Sequence, residues 1–401
     1  MFNTRLKTHH SAMADGEKYL SGPRKLTDIL SREGCTGKQP GTIYIHVPFC
    51  SKICSFCNMR RSLQEPHKEY ADWIAEEIRR YGAYPAVQEQ VFDAVYFGGG
   101  TPTTLPREEL RKILRALKEN FRFTEDGEFT IETTVTELTE DKIAMFREEG
   151  VNRFSVGIQT FHEEGRRGMN RVGSGRQAYD KLQYLKKEGF ATVSMDLIYN
   201  YPGQRMEDLE RDLDKITSLD LDGFSMYSLI NMKETGISET QGLENDEKMF
   251  FYIAKTMESR GYRFLELTKM VSRDPYKYIM NRHRGADTLP LGAGAGGSIF
   301  GLGIMNPIRL EEYRDSVVHF QDRKGMLMNA AYRETVLFKG DLQTGYLPRN
   351  TGLYQDSSAY GQILQKLIQE DYVIKEGEDY RLTHKGIFWG NTISRQLAAM
   401  I

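Results

Sequence analysis

Cysteine is scarce in this chain, at four residues in 401, which excludes the disulfide-rich scaffolds. A charge excess is missing as well. Lys and Arg number 54 against 56 Asp and Glu, for a net charge of −2. The signs are interspersed and no basic block appears, so a dedicated nucleic-acid binder, whose phosphate contacts need one, is excluded. Met1 to Lys7 is followed by no apolar stretch of the kind a secretory signal has, and a cytoplasmic location is expected. The longest charge-free segment runs over 21 residues, Thr288 to Ile308, about the length of a membrane span. Gly292, Gly294, Gly296, Gly297, Gly301 and Gly303, with Pro290 and Pro307, make it a poor helix. An apolar, glycine-rich strand and loop is expected there, and no membrane span. No solenoid repeat or low-complexity tract is present.

The first half alternates short β-branched or aromatic runs with amphipathic segments of helical length. Expected strands are Thr42–Val47, Ala94–Phe97, Glu128–Glu132, Arg153–Val156, Thr192–Ile198 and Gly223–Met226. Expected helices between them are His67–Tyr81, Glu108–Asn120, Glu140–Glu149, Gln177–Glu188 and Met206–Ser218. Six such units suit an α/β class, a partial (β/α)6 barrel over residues 41–235, although periodicity alone does not separate a barrel from a flat sheet. Residues 1–40 are expected to wrap the barrel or cap its mouth. Residues 236–320 are read as an extension carrying the glycine-rich strand. Residues 321–401 are read as a mostly helical, winged-helix-like domain with a small β-wing at Asp371–Thr383.

Three of the four cysteines fall in Cys50-Ser-Lys-Ile-Cys54-Ser-Phe-Cys57, directly after the first expected strand. An odd number of thiols in a reducing compartment is no disulfide set. Structural zinc takes four ligands, and no fourth Cys or His stands at suitable spacing. Three thiolates suit a 4Fe-4S cube with one iron left open to a small molecule. Cys35, outside the motif, reads as a structural thiol.

This CxxxCxxC, with Phe56 before its last cysteine, resembles the signature of the radical S-adenosylmethionine (SAM) superfamily. The likeness extends through Tyr44-Ile-His46-Val-Pro-Phe-Cys50 and Phe97-Gly98-Gly99-Gly100-Thr101-Pro102-Thr103. Ile131-Glu132, Ser155-Val-Gly157-Ile-Gln159, Arg171 and Met195-Asp196 continue it, and together they resemble the HemN-like branch. The resemblance implies a 4Fe-4S cluster on Cys50, Cys54 and Cys57 and SAM as the second cofactor, with two SAM molecules used in one subgroup of the branch. It also implies that Tyr44 and Phe56 lie at the cluster-bound SAM, that Gly98, Gly99, Gly100 and Thr101 meet its methionyl part, and that Glu132, Gln159, Arg171 and Asp196 hold its hydroxyl and carboxylate groups or those of a second SAM.

Within the branch, coproporphyrinogen dehydrogenases carry another cysteine two positions after the motif, where this chain has Asn58-Met59. The haem chaperones of the HemW type have an HNxxYW element, where this chain has Tyr278, Ile279, Arg282 and His283. Arg273-Asp-Pro-Tyr276, Gly285-Ala-Asp287 and the glycines at 292–297 look like the anaerobic haem-degrading radical SAM methyltransferases. Phe2-Asn-Thr-Arg5, His9-His10 and Leu382-Thr-His384-Lys-Gly386-Ile-Phe-Trp389 are similar to that group too. The resemblance implies that one SAM yields a deoxyadenosyl radical, which takes hydrogen from the methyl of a second. The resulting radical adds to haem, and the macrocycle opens with release of iron. A flavodoxin-like or other low-potential electron donor is implied. Met270, Arg273, Arg282 and Arg284 are candidates for the haem site, and His9, His10 and His283 for its iron. A chaperone of the HemW type that binds haem without turnover, or an oxygen-independent coproporphyrinogen III dehydrogenase, stays open as the alternative.

Overall fold

The computed structural model describes residues 2–7, 19–34, 39–230, 241–347, 358–377 and 379–398. Cys35, His9 and His10 lie outside them. Six strands follow one another in parallel register: β1 (Gly41–Val47), β2 (Val91–Gly99), β3 (Arg122–Thr134), β4 (Arg153–Gln159), β5 (Thr192–Tyr199) and β6 (Gly223–Ser228). The helices Tyr70–Gly82, Arg107–Asn120, Glu140–Glu148, Gly175–Glu188 and Met206–Ser218 connect them. Helix Arg107–Asn120 shows why this arrangement forms. Leu110, Ile113, Leu114 and Leu117 repeat at helical spacing and are all buried, while Glu108 and Glu109 sit in the first turn, where carboxylates favour the helix dipole. Helix Gly175–Glu188 is bracketed by a Ser174–Gln177 capping box and by Gly189 at φ 67°.

The sheet does not close among the described residues. It continues from β1 through Thr288–Leu291, Gly296–Ile299, Leu302–Met305 and Lys324–Met328 to Leu20–Lys25, and from β6 through Lys269–Val271 to Arg263–Glu266, for 13 strands in all. Thr288–Leu291 lies parallel to β1, so a seventh parallel strand flanks the six from much later in the chain. The charge-free segment is thus three short strands. No helix among the described residues is long and apolar enough to cross a membrane. β3 is longer than the expected Glu128–Glu132 because Arg122 and Phe123 already pair with Val91 and Phe92.

Helices Ala330–Gln343, Ala359–Gln369, His384–Phe388 and Gly390–Ala398 pack with a three-stranded sheet of Tyr346–Leu347, Asp379–Leu382 and Val373–Glu376. Phe2 stacks on Trp389 at 5.6 Å, and Arg5 bonds both the Phe388 carbonyl and Asp246, each at 2.7 Å. The first residues therefore tie the C-terminal helices to the barrel side.

The inside of the barrel is plugged by a charged and aromatic floor. Arg153 of β4 donates two bonds to Asp274, at 2.9 and 2.8 Å, and Lys269 reaches Asp274 at 3.2 Å and Ser194 at 2.6 Å. Glu128 of β3 accepts from the backbone N–H of Lys277 and Tyr278, fixing the start of helix Lys277–His283 inside the barrel. Tyr278 then stacks on Tyr96 at 4.7 Å.

Candidate active site

The cysteine loop leaves the end of β1 and is pinned at both ends. At its base the Cys50 N–H bonds the Ser62 carbonyl, and the Ser62 N–H returns to Pro48. At its tip Ser55 bonds the Met169 and Gly168 carbonyls, while Asn170 donates to Ile53. These partners belong to the turn after β4, so the loop spans the barrel mouth. The glycine run at the end of β2 approaches it from the other side: the N–H groups of Gly100 and Thr101 bond the carbonyls of Val47 and Phe49, each at 2.8 Å. A Cβ on Gly100 would stand 2.6 Å from the Phe49 carbonyl oxygen. No side chain fits there, which leaves backbone as the lining.

Between them lies a cavity of about 430 Å3, a size typical of small-ligand pockets. Cys50, Cys54, Cys57, Phe56, Gly99, Gly100, Thr101, Glu132, Gln159, Arg171 and Asp196 all line it. Tyr44 and Gly98 do not. The Tyr44 hydroxyl is shared with His46 Nδ1 at 2.9 Å, and its ring stacks with Tyr96 and Tyr278 behind Gly98. A Cβ on Gly98 would lie 2.8 Å from Glu132 and 3.1 Å from Tyr44, so this glycine is where the aromatic stack and the cavity wall meet.

Glu132 accepts a bond of 2.5 Å from the Tyr96 hydroxyl and one of 3.3 Å from the Gly99 N–H. It opens only to the cavity, and burial pushes its carboxyl up to about 7, helped by the nearby Asp196 charge and opposed by those two hydrogen bonds. Burial raises Asp196 too, against the pull of Lys269. Gln159 ends β4 in the left-handed region, at φ 68°, where the pairing with β5 slips by one residue. That strained geometry turns its amide toward the mouth. Arg171 donates to Cys54 Sγ at 3.0 Å and to the Gly157 carbonyl.

The thiols carry no disulfide. Among the described residues no three Cys, His, Asp or Glu side chains converge on one ion. Burial pushes the Cys50 and Cys57 thiols up, so thiolates here call for a cationic centre. Gln159 Oε1 and Arg171 Nε are buried and have no partner among the described residues.

Residues 44–216 match the model of the Radical SAM superfamily. This segment is a radical SAM domain. Its cofactors are a 4Fe-4S cluster and SAM. The radical SAM domain sits in a HemN-like fold, since coproporphyrinogen III oxidase (HemN) from Escherichia coli superposes with a TM-score of 0.78. That match covers 94% of this chain and 93% of the other at 22% identity. Among curated proteins, the anaerobilin synthase of Escherichia coli O157:H7 is 29% identical, covering 90% of this chain and 84% of its own. The haem chaperone HemW of Lactococcus lactis is 27% identical, over 89% and 97%. The oxygen-independent coproporphyrinogen III oxidase of Salmonella typhimurium is 29% identical, over 76% and 70%.

Some contributors to the radical SAM site leave no local signal in the sequence. Arg166, 1% exposed, spends its guanidinium on the carbonyls of Ile158, Thr160, Val172 and Gly173, and so holds the turn that carries Arg171. Lys7 reaches the cavity edge, bonded to the Leu229 carbonyl at 2.8 Å, and burial lowers its ammonium. Of the haem candidates, Met270 is fully buried in the core, and Arg273 is paired with Asp220 and Asp222 at 2.7 and 3.0 Å. Neither is placed to meet a ligand. His283 bonds Glu266 at 2.6 Å through Nε2. Arg284 is exposed and its carbonyl accepts from Gln39.

Proposed function

We propose that this protein is a radical SAM methyltransferase that opens haem to a methylated linear tetrapyrrole with release of iron, using two SAM molecules. The observation that carries this reading is helix Lys277–His283. At the positions where a HemW-type chaperone would bear its HNxxYW element, Tyr278 is packed into the barrel stack and Ile279 lies on the cavity wall. This helix therefore shapes a reaction chamber and offers no histidine at the chaperone position. Asn58-Met59 after the motif argues against a coproporphyrinogen oxidase. The anaerobilin synthase relative is similar across nine-tenths of the chain.

When bound, the cluster supplies the electron that cleaves SAM. Cys50, Cys54 and Cys57 would hold it, and the backbone at Gly99 and Gly100 would lie along the methionyl part of SAM. Glu132 and Asp196 suit ribose hydroxyls and sulfonium charge. Gln159 and Arg171, both on the cavity wall, suit the second SAM, its ammonium and carboxylate respectively.

Mass spectrometry of anaerobic products from haem and methyl-deuterated SAM tests the reading. Deuterium should enter 5′-deoxyadenosine, and the tetrapyrrole should gain a deuterated one-carbon unit. Unlabelled deoxyadenosine formed in step with haem consumption overturns it.

A pH dependence follows from Glu132. Tyr44, Tyr96, Asp196, Arg153 and Tyr276 surround it, and burial keeps it protonated below about 7. Bound SAM brings positive charge, which favours the carboxylate, so binding should release a proton. SAM affinity should then fall as pH drops below about 7, by up to about tenfold per pH unit. Equilibrium dialysis of SAM across pH 5.5 to 8 checks this, and Glu132→Gln should flatten the profile.

A further inference from the structure

A second and larger cavity, about 1470 Å3, lies against the barrel extension. One wall is a strand face. Ser298 pairs with both Thr288 and Gly303, Gly303 with Met326, and Gly296 with Met305. Alternate residues of a strand share a face, so Gly296, Ser298, Gly303, Met305, Met326 and Met328 lie on one side. Met305 and Met326 are 58% and 37% exposed there, unusual for methionines. The opposite wall comes from helices Lys277–His283 and Ala330–Gln343.

Charge on this cavity is one-sided. Arg32, Arg282, Lys324, Arg333 and Lys339 line it against a single carboxylate, Asp287, which already accepts from the Phe300 N–H at 3.0 Å. In a chain of net charge −2 this is a local cationic site. Ile279 and Gln343 line both this cavity and the one holding the cluster cysteines, so the two share a wall.

We propose that this cleft is the tetrapyrrole site. The macrocycle lies along the glycine and methionine face, where thioethers contact an aromatic ring favourably. Its carboxylates meet Arg282 and Arg333, and its reacting edge faces the cluster cavity past Ile279 and Gln343. This rests on the function proposed above, and it takes the substrate out of the smaller cavity, which the cluster and SAM would occupy.

The test is equilibrium dialysis of haemin against the cluster-loaded protein, its Arg282→Ala/Arg333→Ala variant and the single Arg333→Glu variant. Haemin dimethyl ester, which lacks the carboxylates, is the second probe. Circular dichroism and cluster absorbance are read on each variant as a check on folding. Both arginines are exposed at the cleft, but Arg282 also donates to the buried Tyr278 hydroxyl at 3.3 Å, so the single Arg333→Glu variant, which keeps that contact, separates loss of the site from loss of packing. Haemin should bind the double variant at least about tenfold more weakly than the wild type. The ester should bind both proteins alike. If the wild type binds and consumes haemin while the variants bind it equally well, this site is wrong and the methyltransferase reading stands. If the wild type neither binds nor consumes haemin, that reading falls and the site falls with it.

Discussion

Cys54→Ala is expected to leave a folded protein that, after anaerobic reconstitution, lacks the absorbance near ~400 nm of a protein-held iron-sulfur cube. Reductive cleavage of SAM should disappear with it. The expectation is this strong because three thiolates are the minimum for such a cube, and Cys50, Cys54 and Cys57 line one cavity with no fourth cysteine or histidine among the described residues of its wall. Cys54 is also the thiol that meets a guanidinium, at 3.0 Å from Arg171 Nη1. Its removal strips a partner from a side chain whose Nε has none among the described residues. The fold should tolerate the change, because the loop is anchored by Ser55, Asn170 and Ser62 and not by the thiol. Circular dichroism should therefore match the wild type while the absorbance is lost. Cys50→Ala and Cys57→Ala should behave alike, and Cys35→Ala should keep the cluster. Full cluster absorbance in Cys54→Ala would remove the basis of the radical SAM chemistry proposed for this chain.

The six barrel strands were readable because each is buried on its outer side by a helix of its own, so both periods are written locally. Ile43, Ile45 and Val47 alternate with Thr42, Tyr44 and His46, and the next helix repeats its apolar residues three and four apart. The cavity residues were readable for a related reason: strands that run parallel end together, so polar residues after successive strands gather at one mouth. The extension strands are different. Gly296–Ile299 and Leu302–Met305 are four residues each and rich in glycine, and only their partners make them strands. The glycines there also serve unlike ends. A Cβ on Gly292 would collide with the His46 carbonyl and one on Gly297 with that of Thr288, so both are required by packing. A Cβ on Gly294 would make only ordinary contacts, the nearest at 3.8 Å, but the residue sits at φ 78°. Tyr276, in the left-handed region at φ 42°, carries no local sign of that conformation.

Least readable of all was the barrel floor, because its partners stand 121 residues apart, and it supports the second large effect. Asp274→Ala should lower stability by about 3–5 kcal/mol, the usual cost of removing one partner from a buried ion pair. The side chain of Asp274 is fully buried, and those of Arg153 and Lys269 are 1% exposed. Without the carboxylate the two cations face each other with Glu128, 3.9 Å from Arg153, and the more distant Asp196 as counter-charges. Arg153 stacks on Tyr276 at 4.0 Å, and the Tyr276 N–H bonds Asp274, so the start of helix Lys277–His283 should loosen as well. The pH dependence has a definite sign. Arg153 and Lys269 hold the Asp274 carboxyl well below the usual carboxylate range, against the opposing effect of burial. A depressed pKa gives stability that is fully present above the unfolded value near ~4 and is lost as pH falls through the folded one. The wild type should therefore lose stability steeply on acidification below about pH 4, and Asp274→Asn should show a shallower loss from a lower starting point. Urea unfolding at pH 7 and at pH 3.5 measures both. Equal acid sensitivity in the two proteins would mean that the floor is held by packing of Tyr276 and Tyr278 and not by its charges.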